Sequence, residues 1–423
     1  MSLLFLSACV TVLKAEEVLT WQACIKEAQK NHPDLISAQE SVKESEATKK
    51  ITASTLFPQI DSSLDASTKR TETTSSTTGI TTSSTTDTYS YGVTGTQLIF
   101  DGFKTLNNVK AASQNLKAAQ YNYKFTSVDV RLRLRTAFIN LLKAQESLKI
   151  TEDIYNIRRS NLELITLRYE SGIEHKGALL NAEANLAQAE FDIAQAKRAL
   201  EVAQRQLVKE MGRTKVSALR VEGVFEVSDL ALEKPDFEAL SKNNPSLEKL
   251  IAQKNAASFG IKAAQANFLP QLSADTGANK NSSTHWPPRN DQWNAGLTVS
   301  LPIFEGGLRL AQVAQARAIF NQAQEDARST RDSLVFTLEQ TWAALQDAIE
   351  TVGVQKKFLA AAGERARIAE AQYSLGLIQF DNWTIIEDDL VSTKTALLNA
   401  QAEALLAEAN WVSAKGETLE YAD

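Results

Sequence analysis

Trp293-Asn294-Ala295-Gly296-Leu297-Thr298-Val299-Ser300-Leu301-Pro302-Ile303-Phe304-Glu305-Gly306-Gly307 changes its period in mid-course. At first, Trp293, Ala295, Leu297, Val299, Leu301 and Ile303 alternate with polar or small residues, the period of a strand with one apolar and one polar face. Pro302 and the glycine pair then interrupt the pattern. Beyond them apolar or aromatic residues recur at seven-residue steps, Val313, Phe320, Ala327 and Leu334, then Leu338, Leu345, Val352, Leu359, Ala366 and Tyr373. The four-residue step from Leu334 to Leu338 is a stutter, which locally unwinds a supercoil. A strand that turns abruptly into a long coiled-coil helix is the unit from which the fold is read.

The same unit stands 204 residues earlier: Phe100 and Gly102 match Phe304 and Gly306, Leu134 and Leu141 match Leu338 and Leu345, and Tyr169 and Gly172 match Tyr373 and Gly376. The first copy repeats the seven-residue steps (Val109, Leu116, Tyr123, Val130) and the stutter from Val130 to Leu134. Upstream the shift is 212, pairing Asn31, Pro33 and Leu35 with Asn243, Pro245 and Leu247, and Phe57-Pro58-Gln59 with Leu269-Pro270-Gln271. Such self-similarity marks a tandem repeat. One copy covers about residues 18–212 and the other 234–416, joined by a linker, 213–233, with a strand-like stretch around Val224, Phe225 and Val227.

Each copy predicts helix, strand, loop, strand, very long helix, tight turn and helix. In the first, a helix from Trp21 to Leu56 precedes strands over 57–69 and 89–100 and helices over 103–170 and 176–211. In the second, strands over 269–278 and 292–304 precede helices over 306–374 and 381–416. About 67 residues at 1.5 Å each give the long helices roughly 100 Å. Ile60, Leu64 and Ala66 alternate with Asp61, Ser63 and Asp65 as in the quoted stretch; the apolar face would pack on a second sheet in a soluble sandwich, or face lipid in a membrane barrel with water on the polar side. Tyr89, Tyr91, Trp286 and Trp293 lie near strand ends, where an interfacial aromatic girdle belongs. Residues 71–88, with 14 Ser or Thr among 18, read as a long external loop, as do Asn279 to Gln292. Two strands per copy make four, too few to close a barrel, so if these strands lie in a membrane several chains must share one barrel.

Composition sets the limits. The chain has 423 residues, 45 Lys plus Arg against 51 Asp plus Glu, and a net charge of −6 without a basic run, which argues against nucleic acid as a partner. Two cysteines and three dispersed histidines offer neither a disulfide scaffold nor a metal cluster. No catalytic constellation and no phosphate-binding glycine loop is found, so neither enzyme activity nor a cofactor is expected. Leu3 to Leu13 is apolar apart from Ser7 and Thr11 and has the size of a signal-peptide core, placing a signal over residues 1–15. Leu6-Ser7-Ala8-Cys9 also has the form of a lipobox, so Cys9 is either a lipidation site or one more residue of that core.

The Leu19-Thr20-Trp21 helix start followed by Asn31 and Pro33 is one of three ordered features that carry a family likeness. The others are the helix-to-strand turns at Pro58 and Pro270, and the strand-to-helix turns Phe100-Asp101-Gly102 and Pro302-Ile303-Phe304-Glu305-Gly306-Gly307. In these the chain resembles the TolC-like family of outer-membrane efflux channels across nearly its whole exported length. The resemblance implies a mostly α fold with a small membrane β-barrel portion, a homotrimer whose twelve strands close one barrel, and helices forming an α-barrel through the periplasm. It implies an exit duct of a tripartite efflux pump or type I secretion system. The partners would be a periplasmic adaptor, an inner-membrane RND or ABC transporter and outer-membrane lipid. The adaptor would meet the turns at Arg168, Tyr169, Ser171 and Gly172, and at Tyr373, Ser374, Leu375 and Gly376. Family members often narrow the entrance with an aspartate six residues after the turn glycine. Ala178 and Asn382 stand there, so either the acidic ring passes to Asp389, in the heptad phase of Asn382, with Asp381 and Glu387 nearby, or the amide of Asn382 replaces it. The competing reading is a periplasmic coiled-coil scaffold without a barrel, which explains the helices but not the alternating strands.

Overall fold

The computed structural model describes residues 17–214, 219–226 and 234–421. The expected signal segment, with Cys9, lies outside the described residues. The order is β1 (Glu17–Thr20), α1 (Trp21–Asn31), α2 (Pro33–Ser54), β2 (Gln59–Thr74), β3 (Thr81–Phe100), α3 (Lys104–Glu170) and α4 (Lys176–Glu210). It continues with β4 (Leu219–Glu222), α5 (Phe237–Lys242), α6 (Pro245–Ala266), β5 (Gln271–Ser282), β6 (Asn290–Ser300), α7 (Leu308–Ser374) and α8 (Phe380–Ala414). Both α3 and α7 contain 67 residues, and α4 and α8 both contain 35. No described helix is long and apolar enough to cross a membrane.

Two compact units can be described. The first gathers the chain up to Gln39, Asn122–Pro245 and the part from Arg331 onward. Its principal core joins Cys24, Ile25 and Ala28 of α1 to Val130, Leu134, Phe138 and Leu141 of α3, and to Leu207 and Met211 at the end of α4. Val130 and Leu134, the two sides of the stutter, are both fully buried, because the phase change turns consecutive heptad residues toward the same cover of α1. A parallel pair of β1 and β4 closes this core with Leu219 and Val221. Arg213 clamps Glu17 and Glu27 beside it. The corresponding α7 core is smaller, with Leu338 and Leu345 against Phe237 and Trp411.

The second unit, Glu40–Tyr121 and Ser246–Thr330, holds one antiparallel sheet in the order β2-β3-β5-β6. Register fixes its faces. Ser62, Val93, Ala278 and Trp293 are cross-strand partners, as are Leu64, Tyr91, Lys280 and Asp291. That face carries Ile60, Leu64, Val93, Trp293, Leu297 and Val299, all between 49% and 82% exposed. The opposite face is Asp, Ser, Thr, Asn, Gln and Gly over the rows from Gln59 to Asp65. Near the hairpin end Trp286 sits edge-on to Tyr89 and Tyr91, with centroids 6.4 and 6.0 Å apart.

Four sequence expectations need correction. The helix expected from Trp21 to Leu56 is two, because Pro33 cannot donate an N–H and His32 before it is extended at φ −68° and ψ 122°. The hydroxyl-rich stretch 71–88 is mostly strand: β2 and β3 pair from Gln59↔Thr96 to Thr74↔Thr81, with only residues 75–80 as the turn. Threonine is β-branched and favours an extended backbone, and Thr74 and Thr81 share a 2.9 Å hydrogen bond across the ladder. In the second hairpin the strands likewise reach further toward the loop, to Ser282 and from Asn290, and β6 ends at Ser300, before Pro302. The linker strand lies at Leu219–Glu222, where Leu219 and Val221 turn inward; Val224 and Phe225 follow it outside any strand, and Val227 lies outside the described residues.

Candidate functional site

The two long helices end in the same backbone device. At the end of α3 the Gly172 N–H donates to the Tyr169 carbonyl at 3.0 Å and the Ile173 N–H to the Arg168 carbonyl at 2.9 Å. At the end of α7 the Gly376 N–H donates to Tyr373 at 3.0 Å and Leu377 to Gln372 at 2.9 Å. Both are Schellman endings, which require a left-handed residue. Gly172 and Gly376 each sit at φ +73°.

Side chains around the two turns differ. Tyr169, Ser171, Ser374 and Leu375 are exposed, as are Leu167, Ile173 and Leu377. Tyr373, expected at the outer surface with Tyr169, is 1% exposed. Its ring stacks on Trp383 at 4.5 Å with 7° between planes, and Phe380 meets both. Ile165, Ala178, Ala182 and Ala369 complete the cluster, so residues from α3, α4, α7 and α8 are joined at this end. Arg168, also expected outside, lies over the Tyr373 ring at 4.7 Å. The Tyr373 hydroxyl donates to Glu174 at 2.8 Å, and burial together with that bond pushes its pKa up. Sequence reading missed Glu174, Phe380 and Trp383. The spacing Phe380, Trp383, Glu387 was the available signal, since residues three, four and seven apart share a helix stripe.

The expected entrance carboxylates separate along that stripe. Asp381 and Asn382 are exposed. Glu387 is 7% exposed, turned inward with Trp383 beside Arg158, Asn161 and Asn185. Burial raises its pKa against the attraction of Arg158. Asp388 pairs with the buried Arg158. Asp389 is exposed but engaged, accepting from Arg365 at 3.0 Å.

At the other ends of these helices the strand-to-helix turns follow similar logic with different chemistry. Gly102 has φ +69°, and a Cβ there would lie 2.7 Å from Leu269 Cβ, beside Pro270. Gly306, at φ +57°, has open space around it, so only the backbone demands glycine. Asp101 Oδ2 accepts from the Thr105 N–H at 2.7 Å and its hydroxyl at 2.6 Å, capping α3. Glu305 accepts from Arg309 instead, at 2.6 Å. Pro58 and Pro270 each stand immediately before a strand, β2 and β5.

A sequence model described as "Outer membrane efflux protein" matches residues 24–213 and 238–417. Outer membrane efflux protein BepC of Brucella suis is 23% identical, over 96% of this chain and 89% of its own. Outer membrane protein TolC of Escherichia coli is 27% identical, over 75% of this chain and 66% of its own. Among solved structures, the MtrE outer membrane channel of Neisseria gonorrhoeae superposes with a TM-score of 0.80 at 18% identity, over 94% of this chain and 89% of that one.

Proposed function

This chain belongs to the outer membrane efflux protein family, and from that premise we propose a homotrimeric exit duct fed through a periplasmic adaptor by an inner-membrane transporter of the RND or ABC type. The protein resides in the bacterial outer membrane and serves efflux or secretion as an exit channel. The finer reading rests on one observation. The four-stranded sheet has unpaired edges at β2 and β6 and a face of exposed large apolar residues. Within lipid every backbone group must find a partner, so an open sheet edge does not persist there. All four strands alternate in direction, so β6 of one copy meets β2 of the next in the same antiparallel sense as the pairs within each copy. Three copies give twelve strands, and the polar face then lines the lumen. A coiled-coil scaffold in water would leave the apolar face uncovered.

The helix turns are the proposed adaptor contact, with Tyr169, Ser171, Gly172, Ser374, Leu375 and Gly376 on the surface and Arg168 and Tyr373 holding it from behind. Conduction is passive: the duct carries out no chemistry and takes its energy from the transporter. Fractionation with heat-modifiable migration tests the assembly. The native protein should migrate with the outer membrane as a species that boiling converts to monomer. A soluble periplasmic monomer would overturn the reading.

A further inference from the structure

Glu387 is a buried carboxyl that the ion pairs around it leave aside. It is 7% exposed and shares a cavity of about 10 Å³ with Arg158 and Asn161 of α3, Ala182 and Asn185 of α4, and Trp383 and Thr384 of α8. Arg158, itself buried, donates to Asp388, the next residue of α8, whose side chain is 58% exposed. Neighbouring residues on a helix point about 100° apart. Arg158 thus stands between an outward carboxylate that holds it and an inward one that does not. Among the described residues Glu387 makes neither hydrogen bond nor ion pair.

A second buried group at this cavity has no partner. The Trp383 ring lines it and is 2% exposed, and its Nε1–H meets no acceptor among the described residues. Trp383 and Glu387 are four residues apart, and so neighbours on one helix face. A cavity of this size has room for about one water, which can accept from the indole and join it to the carboxyl. The charges acting on Glu387 are Arg158 from α3, Glu370 from α7, and Asp388 and Lys394 from α8, while α4 presents only Ala182 and Asn185. Burial outweighs the attraction of Arg158, which Asp388 already engages, so the carboxyl keeps its proton more tightly than a free glutamate.

We propose that a proton on Glu387 closes a latch at this end of the bundle. Protonated, the side chain stays in the cavity and α8 lies shut against α3 and α4; ionised, it leaves, and Trp383 moves with it. Because the Trp383 ring stacks on Tyr373, the movement reaches the end of α7 as well. The inference rests on the exit-duct reading, in which this end is the entrance from the periplasm, so acid shuts the duct and a rise in pH loosens it. The seated form binds the proton more tightly, so the latch is complete below the ordinary glutamate pKa of about 4.3 and is lost as pH rises through the seated value.

Conductance of the purified native protein in planar bilayers, and amide hydrogen exchange over 380–390 in the same preparation, test this from about pH 4 to about pH 8. On acidification the wild type should conduct less and, once intrinsic exchange rates are divided out, exchange α8 about tenfold more slowly, both with one midpoint. Glu387→Gln should remain shut at every pH. Asp388→Asn, which frees Arg158 for Glu387, should move the midpoint down by about half a pH unit or more, and Trp383→Phe, which keeps a ring but removes the N–H donor, should move it up. A residue that only fills space would alter stability and leave the midpoint in place. Should Trp383→Phe fail to assemble, the other two variants decide by the same criterion. A midpoint that persists in Glu387→Gln, or that does not move in Asp388→Asn, would overturn the proposal. Exchange that follows the expected midpoints in a trimer that conducts at no pH would instead overturn the exit-duct reading itself.

Discussion

The turns after α3 and α7 share a backbone and differ in what stands behind it. Both close on a glycine at φ +73° with the same pair of carbonyl acceptors. Yet Tyr169 is 38% exposed and its repeat-mate Tyr373 is 1% exposed. The cause lies in the following helices: α4 offers Lys176 and Leu179 where α8 offers Phe380 and Trp383. Two aromatic rings draw the second tyrosine inward, and the first has none to receive it. Duplication has kept the residues that bend the chain and altered those that decide which surface remains free. The second turn thus anchors the end of the bundle, and the first leaves its tyrosine exposed.

The largest test of this contrast is Trp383→Ala. Removing a fully buried ring that stacks on Tyr373 should cost about 3–5 kcal/mol of local stability, while Tyr169→Ala should stay within about 0.5 kcal/mol. Amide hydrogen exchange over 365–390 and over 160–185 reads both. Equal loss of protection in the two variants would break the distinction.

Next comes the shared element. Gly376→Ala and Gly172→Ala should each cost about 1–2 kcal/mol, and equally, since a Cβ at either position meets nothing within 4 Å and only the left-handed backbone resists. A cost confined to one variant would mean that packing, not the backbone, sets the price there. Unfolding by urea with a local fluorescent reporter is sufficient.

The smallest effect sharpens the difference through pH. Glu387 has a folded pKa raised by burial. Its proton is thus held more tightly in the folded state, and the associated stability is full below the ordinary glutamate pKa of about 4.3 and is lost as pH rises through the folded value. Glu387→Gln should remove that dependence and protect the second turn near neutral pH, without altering the first. A slope that survives the substitution would assign the titration to another group.

Most of the backbone was legible in sequence. Period and proline-glycine punctuation placed the ends of α3, α4, α7 and α8 within about two residues, because long uninterrupted heptads leave few alternatives. The break at Pro33 is visible as a residue, but the helical reading on both sides of it hides the interruption. The threonine-rich hairpin failed for a different reason: composition suggested a loop, whereas β-branching and cross-strand pairing made a ladder. At the turns, glycine revealed the bend, but heptad phase alone gave no sign of a neighbouring ring. Tyr373 and Tyr169 occupy equivalent phases, and only the aromatic stripe of α8 separates their fates. The ion pairs of Asp388 and Asp389 cross between helices, beyond the reach of any local pattern.

The exit-duct reading presupposes a sheet completed by other copies of the chain. Mass measurement of the native protein in detergent tests that claim most directly. Three chains per particle, with no monomer until the particle is heated, is the predicted result. A stable single chain whose four strands close on themselves would contradict it.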